Sequence, residues 1–191
     1  MNAPLNYKNS ESGRTVIGDG VDIYSYTLIQ AGTGGNFTSI DSGARILGHS
    51  TVGYNARIGQ DAIIATESII GHDVEIGEAS IINARSYIRP CVRVGKLTHI
   101  ATISSIEYDV IPFSIVKGIT PFVENVNLKG LKNYGYNDEE IEIVMRAFEI
   151  IFNEGHTNKM AIDIIKEKLE LKEIVKEIIA FIGTSNRGLL K

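Results

Sequence analysis

A histidine followed directly by an aspartate is the pair in this chain best suited to moving a proton. His72 and Asp73 stand together in IIGHDVEIG. A neighbouring carboxylate orients an imidazole and stabilises its charged form, and an imidazole so held can take a proton from a hydroxyl at neutral pH. Tyr54 and Asn55, in VGYNAR, lie eighteen residues earlier. A phenol, whose ordinary pKa is about 10, is a poor base, so Tyr54 is expected beside a base rather than as one. Three further histidines, His49, His99 and His156, show no spacing that suggests converging metal ligands. Cys91 is the only cysteine, which excludes an internal disulfide and a cysteine-rich zinc site.

What positions these residues is a repeat. An Ile or Val recurs every sixth residue at Ile17, Ile23 and Ile29, then from Ile40 through Ile46, Val52 and Ile58 to Ile106. Four residues after each comes a small or β-branched residue, as at Ala44, Ser50, Ala56, Ser68 and Val74. Each hexad reads as a short strand plus a corner with the aliphatic side chain inward, and three hexads close one triangular coil. No hexad buries its apolar residue alone, whereas stacked coils build a continuous core. Ordinary antiparallel strands would alternate with period two and be joined by Asn-Gly or Asp-Gly hairpins, whereas the period here is six and such hairpin signals are few.

Residues eighteen apart therefore lie one coil above each other, about 4.8 Å along the prism. One corner column holds Tyr54-Asn55, His72-Asp73, Pro90-Cys91 and Tyr108-Asp109. His49 falls on a different edge. Arg45, Arg57 and Arg93 recur at the last position of their hexads; they read either as solvated or bridging residues or as contacts to a phosphate. The repeat breaks once, at residues 30–39, where QAGTGGNFTS reads as a loop extruded from a coil. Such a loop is either a carrier of function on a rigid scaffold or a tolerated insertion.

After Pro112 the apolar period becomes helical and Lys and Glu grow frequent. A short helix is expected near 126–133, ended by Gly135. A second starts at Asn137, whose capping box is completed by Glu140, and stops before Gly155. Two more are expected at 158–170 and 173–182. The organisation expected is an N-terminal extension over 1–15, a β-helix over 16–119 and a helical domain over 120–191. The 191-residue chain carries a formal charge of −4, with no basic footprint for nucleic acid. No run approaches the roughly 20 apolar residues of a membrane span. With no apolar leader and a lone cysteine, a cytoplasmic location is expected.

The hexad tract, followed by ITPFVENVNLKGLKNYGYN and ending in TSNRGLLK, resembles the UDP-N-acetylglucosamine O-acyltransferases, the first enzymes of lipid A biosynthesis. The resemblance spans nearly the whole chain. It rests on features outside the generic repeat: the glycine-rich loop after TLIQAGT and the Gly-Leu-Lys and Arg-Gly-Leu-Leu segments. It implies a left-handed parallel β-helix with a C-terminal α-helical domain, and a homotrimer with active sites in clefts between prisms. It also implies an acyl carrier protein thioester as donor, a nucleotide sugar as acceptor and no bound cofactor. The handedness comes from the resemblance alone, because parallel crossovers are normally right-handed.

Several positions depart from the family pattern. Aligned on the family, the chain begins at what would be a loop inside the prism, so several N-terminal coils have no counterpart. Tyr54 and Asn55 stand where the family has its catalytic histidine and an aspartate. Pro4 and Asn6 replace an aspartate and a lysine that contact the nucleotide sugar, and Asn133 and Tyr134 replace paired arginines. Asn127, in VNLKG, is retained. Because His72-Asp73 reproduces the missing pair one coil later, the expected catalytic set is His72 as base, Asp73 as its partner and Tyr54 beside it, with Asn127 and Asn55 as substrate contacts. Two functions follow: an acyltransferase, or a substrate-shifted or catalytically silent trimer serving as a binding or regulatory scaffold. Fold alone does not choose between them.

Overall fold

The computed structural model describes residues 13–152 and 155–191. In it the hexads wind into a three-sided parallel β-helix followed by helices. The first face stacks Arg14–Ile17, Phe37–Ile40, Arg57–Ile58, Glu75–Ile76 and Arg93–Val94. The second stacks Asp22–Ile23, Arg45–Ile46, Ile63–Ile64, Ile81–Ile82 and His99–Ile100. It ends in an antiparallel hairpin of Ser114–Lys117 with Phe122–Val126, which the six-residue pattern did not announce. Leu28–Ile29, Thr51–Val52, Ile69–Ile70, Tyr87–Ile88 and Ser105–Ile106 form the third face. The coil is left-handed, against the usual sense of parallel crossovers.

Each short strand turns one side chain out and one in, so β-branched residues at the inward position stack in register. On the second face Ile46, Ile64, Ile82 and Ile100 sit directly above one another, all fully buried. Each contributes roughly 1.5–3 kcal/mol on leaving water. Ile17 and Ile23 hold the same inward position yet are half exposed, because among the described residues the first coil has a neighbour on one side only.

The corners turn through a residue with φ near +60°, which is Asn55, Asp73 and Cys91 on the edge of interest and Glu67 and Arg85 on another. For a residue with a Cβ this conformation costs about 1–2 kcal/mol. The coil below offsets it by accepting the corner's N–H, as Tyr54 does from Asp73 at 3.0 Å and His72 from Cys91 at 2.9 Å. Glycine precedes many corners for a different reason than a left-handed backbone. A Cβ on Gly71 would lie 2.6 Å from the Pro90 nitrogen of the next coil, so its absence is what lets coils stack closely.

Helices α1 (Leu128–Tyr134), α2 (Asp138–Phe152), α3 (Asn158–Lys168) and α4 (Glu173–Gly183) follow. Asn137 and Glu140 exchange the two hydrogen bonds of a capping box at 2.9 and 3.0 Å. The helices share a core, including Leu131, Val144, Ile165 and Ile178, that continues into Leu97, Ile111 and Phe113 of the last coil. No helix among the described residues is long and apolar enough to cross a membrane.

Candidate active site

His72 and Asp73 occupy a corner between the third and first faces, hereafter the His72 edge, with Tyr54-Asn55 one coil below and Cys91 one coil above. His72 Nδ1 lies 2.8 Å from Asp73 Oδ2. A carboxylate can only accept, so Nδ1 carries a proton and donates it, and in the neutral ring Nε2 is the nitrogen that keeps a lone pair. Among the described residues Nε2 makes no hydrogen bond. The Tyr54 ring lies flat on the imidazole, with centroids 4.7 Å apart and planes 4° from parallel. Both His72 and Asp73 remain partly open to solvent.

Asn55 ties this corner to the extruded loop. Its Nδ2 donates to Asp73 Oδ1 at 3.0 Å, while its Oδ1 accepts the backbone N–H of Thr33 at 2.8 Å. Thr38 Oγ1 accepts the Asn55 N–H at 2.9 Å and itself donates to the Gln30 carbonyl at 2.7 Å. The loop is therefore hydrogen-bonded into the same edge, and it borders a hollow of about 160 Å³ together with Asn55, Asp73 and Arg57. Gln30, Thr33 and Thr38 were missed from the sequence. Counting hexads through the break puts the loop at this corner, which was the available signal.

At the top of the column Asp109 is buried and committed to structure. It accepts from Arg93 N–H at 2.9 Å and from Ser185 Oγ at 2.8 Å, and its backbone pairs with the chain end through Leu190 N–H. Asn127 sits elsewhere. It caps α1, accepting from Gly130 N–H at 2.9 Å and donating to the Leu97 carbonyl at 2.7 Å, at the edge between the first and second faces. Within one chain it is not brought to His72. Pro4 and Asn6 lie outside the described residues.

The three repeating arginines all have acidic partners. Arg45 is 4.0 Å from Asp22, while Arg57 and Arg93 flank Glu75 at 3.8 and 3.3 Å. Arg93 also lies over the Phe181 ring, 4.4 Å from its centroid. Between the first face and α4 runs a cleft of about 630 Å³ lined by Arg57, Glu75, Arg93, Lys96, Glu177 and Phe181. Burial there opposes the Lys96 charge, but Glu177 at 2.7 Å and Tyr136 hold its pKa above the ordinary lysine value. Tyr134 donates to Glu78, a bond that pushes its pKa up to about 12.

Among the other histidines, His49 stacks on Tyr26 at 4.9 Å. His99 Nε2 accepts from Asn83 at 2.7 Å; burial, then the charge of Lys117, lowers its pKa. The spacing of histidines suggested no converging metal ligands. Counting all donor types, however, ligand atoms of His72, Asp73 and Cys91 lie within 4.8 Å of one another.

The family model for domain 2 of UDP-N-acetylglucosamine O-acyltransferase matches residues 109–190, and the bacterial transferase hexapeptide model matches 55–90. The acyl-[acyl-carrier-protein]–UDP-N-acetylglucosamine O-acyltransferase of Fusobacterium nucleatum is 40% identical over the whole chain, which spans 74% of that protein. The chain belongs to the UDP-N-acetylglucosamine O-acyltransferase family. Another member, from Campylobacter lari, is 32% identical over 97% of the chain and 70% of its own length. The crystal structure of the Francisella novicida UDP-N-acetylglucosamine acyltransferase superposes with a TM-score of 0.91 at 26% identity, over 97% of this chain and 69% of that one. Among the described residues of this member of the family, the imidazole on the His72 edge that is paired with a carboxylate is His72, on the coil after Tyr54.

Proposed function

We propose that this chain moves an acyl group from an acyl carrier protein thioester to a hydroxyl of UDP-N-acetylglucosamine or a close nucleotide sugar, as in lipid A biosynthesis. What supports the reading is the pairing of His72 with Asp73 at 2.8 Å, which leaves Nε2 as an unbonded acceptor on a partly open edge. Nε2 takes the proton of the sugar hydroxyl, and the oxygen attacks the thioester carbonyl. The tetrahedral intermediate then expels the thiolate, which recovers the proton from the imidazolium. Asp73 positions the ring and stabilises its charged form, and the Tyr54 face fixes the plane in which it sits. Asn55 holds Asp73 in turn.

The working form is a homotrimer in the cytoplasm. Leu28, Ile69 and Tyr87 leave an apolar strip exposed on the third face, a natural contact for a neighbouring prism. In that assembly Asn127 of one chain reaches the cleft of its neighbour and contacts the nucleotide sugar. The competing reading is a non-catalytic scaffold, favoured by the absence of a base at Tyr54-Asn55. Purified protein incubated with acyl carrier protein thioesters and UDP-N-acetylglucosamine separates the two. Acylated sugar from the wild type and none from His72→Ala is the expected result; equal turnover by both removes His72 from the mechanism.

A further inference from the structure

We propose that His72, Asp73 and Cys91 together bind a divalent transition metal of the zinc class. Their ligand atoms already lie within 4.8 Å of one another. An imidazole nitrogen, a carboxylate oxygen and a thiolate sulfur suit zinc, whereas magnesium and calcium take oxygen ligands. Three protein ligands leave a fourth position for water or substrate.

The scaffold holds these donors in a repeatable geometry. Asp73 and Cys91 are the same corner position on consecutive coils, with φ of 54° and 61°, and the Cys91 N–H is bonded to the His72 carbonyl at 2.9 Å. Tetrahedral ligands about 2.0–2.3 Å from zinc stand about 3.5 Å apart. The donor atoms are therefore within about an ångström of closure, a movement open to Cys91 because its side chain is exposed. Supporting contacts are in place as well. Asn55 fixes Asp73 through Oδ1, so Oδ2, which faces His72 Nδ1 at 2.8 Å, is the oxygen that would exchange this hydrogen bond for the cation, and the Tyr54 ring fixes the imidazole plane.

The proposal does not rest on acyl transfer, but it meets it at one residue. A neutral imidazole that ligates a metal through either nitrogen keeps its proton on the other, so a metal-loaded His72 cannot accept a proton. Loaded protein is thus expected to turn over more slowly than metal-free protein.

The test uses the full chain, without a histidine tag, stripped of metal and titrated with Co²⁺. The expected result is one Co²⁺ per chain with thiolate-to-cobalt charge-transfer absorption, displaced by Zn²⁺ and not by Mg²⁺. Cys91→Ser, shown folded by its unchanged thermal melt, should lose that absorption and bind at least tenfold more weakly, and Asp73→Asn should also weaken binding. Wild-type protein without the absorption, or Cys91→Ser binding as tightly as wild type, overturns the site. The acyl-transfer assay on metal-free protein is read separately, so failure of the proposed activity leaves this result intact, and the reverse.

Discussion

Along the edge that carries His49, between the second and third faces, the inner corner position is Thr27, Ser50, Ser68, Ser86 and Ser104; along the His72 edge it is Ala56, Val74, Val92 and Val110. Three hydroxyls of the first set close on the next coil. Ser50 donates to the Ala65 carbonyl at 2.9 Å, Ser68 to Asn83 at 3.0 Å and Ser86 to Ala101 at 2.9 Å. Outside them Glu67 and Arg85 satisfy each other at 2.8 Å. Both edges carry an aromatic ring stacked on an imidazole, Tyr26 on His49 and Tyr54 on His72, and both turn through the same left-handed backbone. The repeated frame is thus shared. What separates the two edges is where hydrogen-bonding capacity is left over: of the two, and among the described residues, only the His72 edge pairs an imidazole with a carboxylate while the second ring nitrogen makes no hydrogen bond.

The sharpest way to break this comparison is to remove each imidazole. His72→Ala is expected to lower acyl transfer by about 10²–10⁴-fold, the usual worth of a positioned base, and His49→Ala to leave the rate within about twofold; steady-state assays showing equal losses would erase the distinction between the edges. Beneath both edges the core is common property. Ile82→Ala should therefore cost about 3–4 kcal/mol in urea unfolding whichever edge is considered, since Ile82 is fully buried in the stack.

Smaller effects sharpen the contrast. Ser68→Ala leaves the Asn83 carbonyl without its hydroxyl donor and should destabilise the fold by about 1–2 kcal/mol, measured by the same unfolding series, with no change in KM. The least change is expected at Glu67. The hydrogen bond from Arg85, then its charge, holds the Glu67 carboxyl below the usual carboxylate range. A depressed folded-state value means that its contribution is present above about pH 4.3, the ordinary glutamate value, and fades as the pH falls through the lower one. In an NMR titration Arg85→Ala should return the Glu67 midpoint to the ordinary range; an unmoved midpoint would show the pair to be idle.

Much of this was legible in the sequence because the core position is a single aliphatic residue repeated every six. Ile64, Ile82 and Ile100 declare an inward stack without knowledge of any contact, and steps of eighteen put Asn55, Asp73 and Cys91 in one column, with Tyr54 and His72 beside the first two. Contacts that depend on side-chain direction were not legible. Nothing in VNLKG tells that one hydrogen and one lone pair of the Asn127 amide go to the Leu97 carbonyl and the start of α1, at another edge from His72. Likewise the role of Asn55 as a strap between Thr33 and Asp73 depends on how the extruded loop folds back, and a polar glycine-rich stretch does not encode that path. The serine ladder was visible as small residues, but its cause, a hydroxyl for each neighbouring carbonyl, required the stacked coils.

The buried carboxylate of Asp109 also sets an order of assembly. Each coil closes on residues eighteen positions away, so the β-helix can lengthen one turn at a time, every turn templated by the last. Ser185 meets Asp109 from 76 residues away, a closure that costs roughly 1.3 kcal/mol more in chain entropy than a single turn. Docking of the chain end is therefore expected to follow closure of the coils, with Asp109 facing water until that tail covers it.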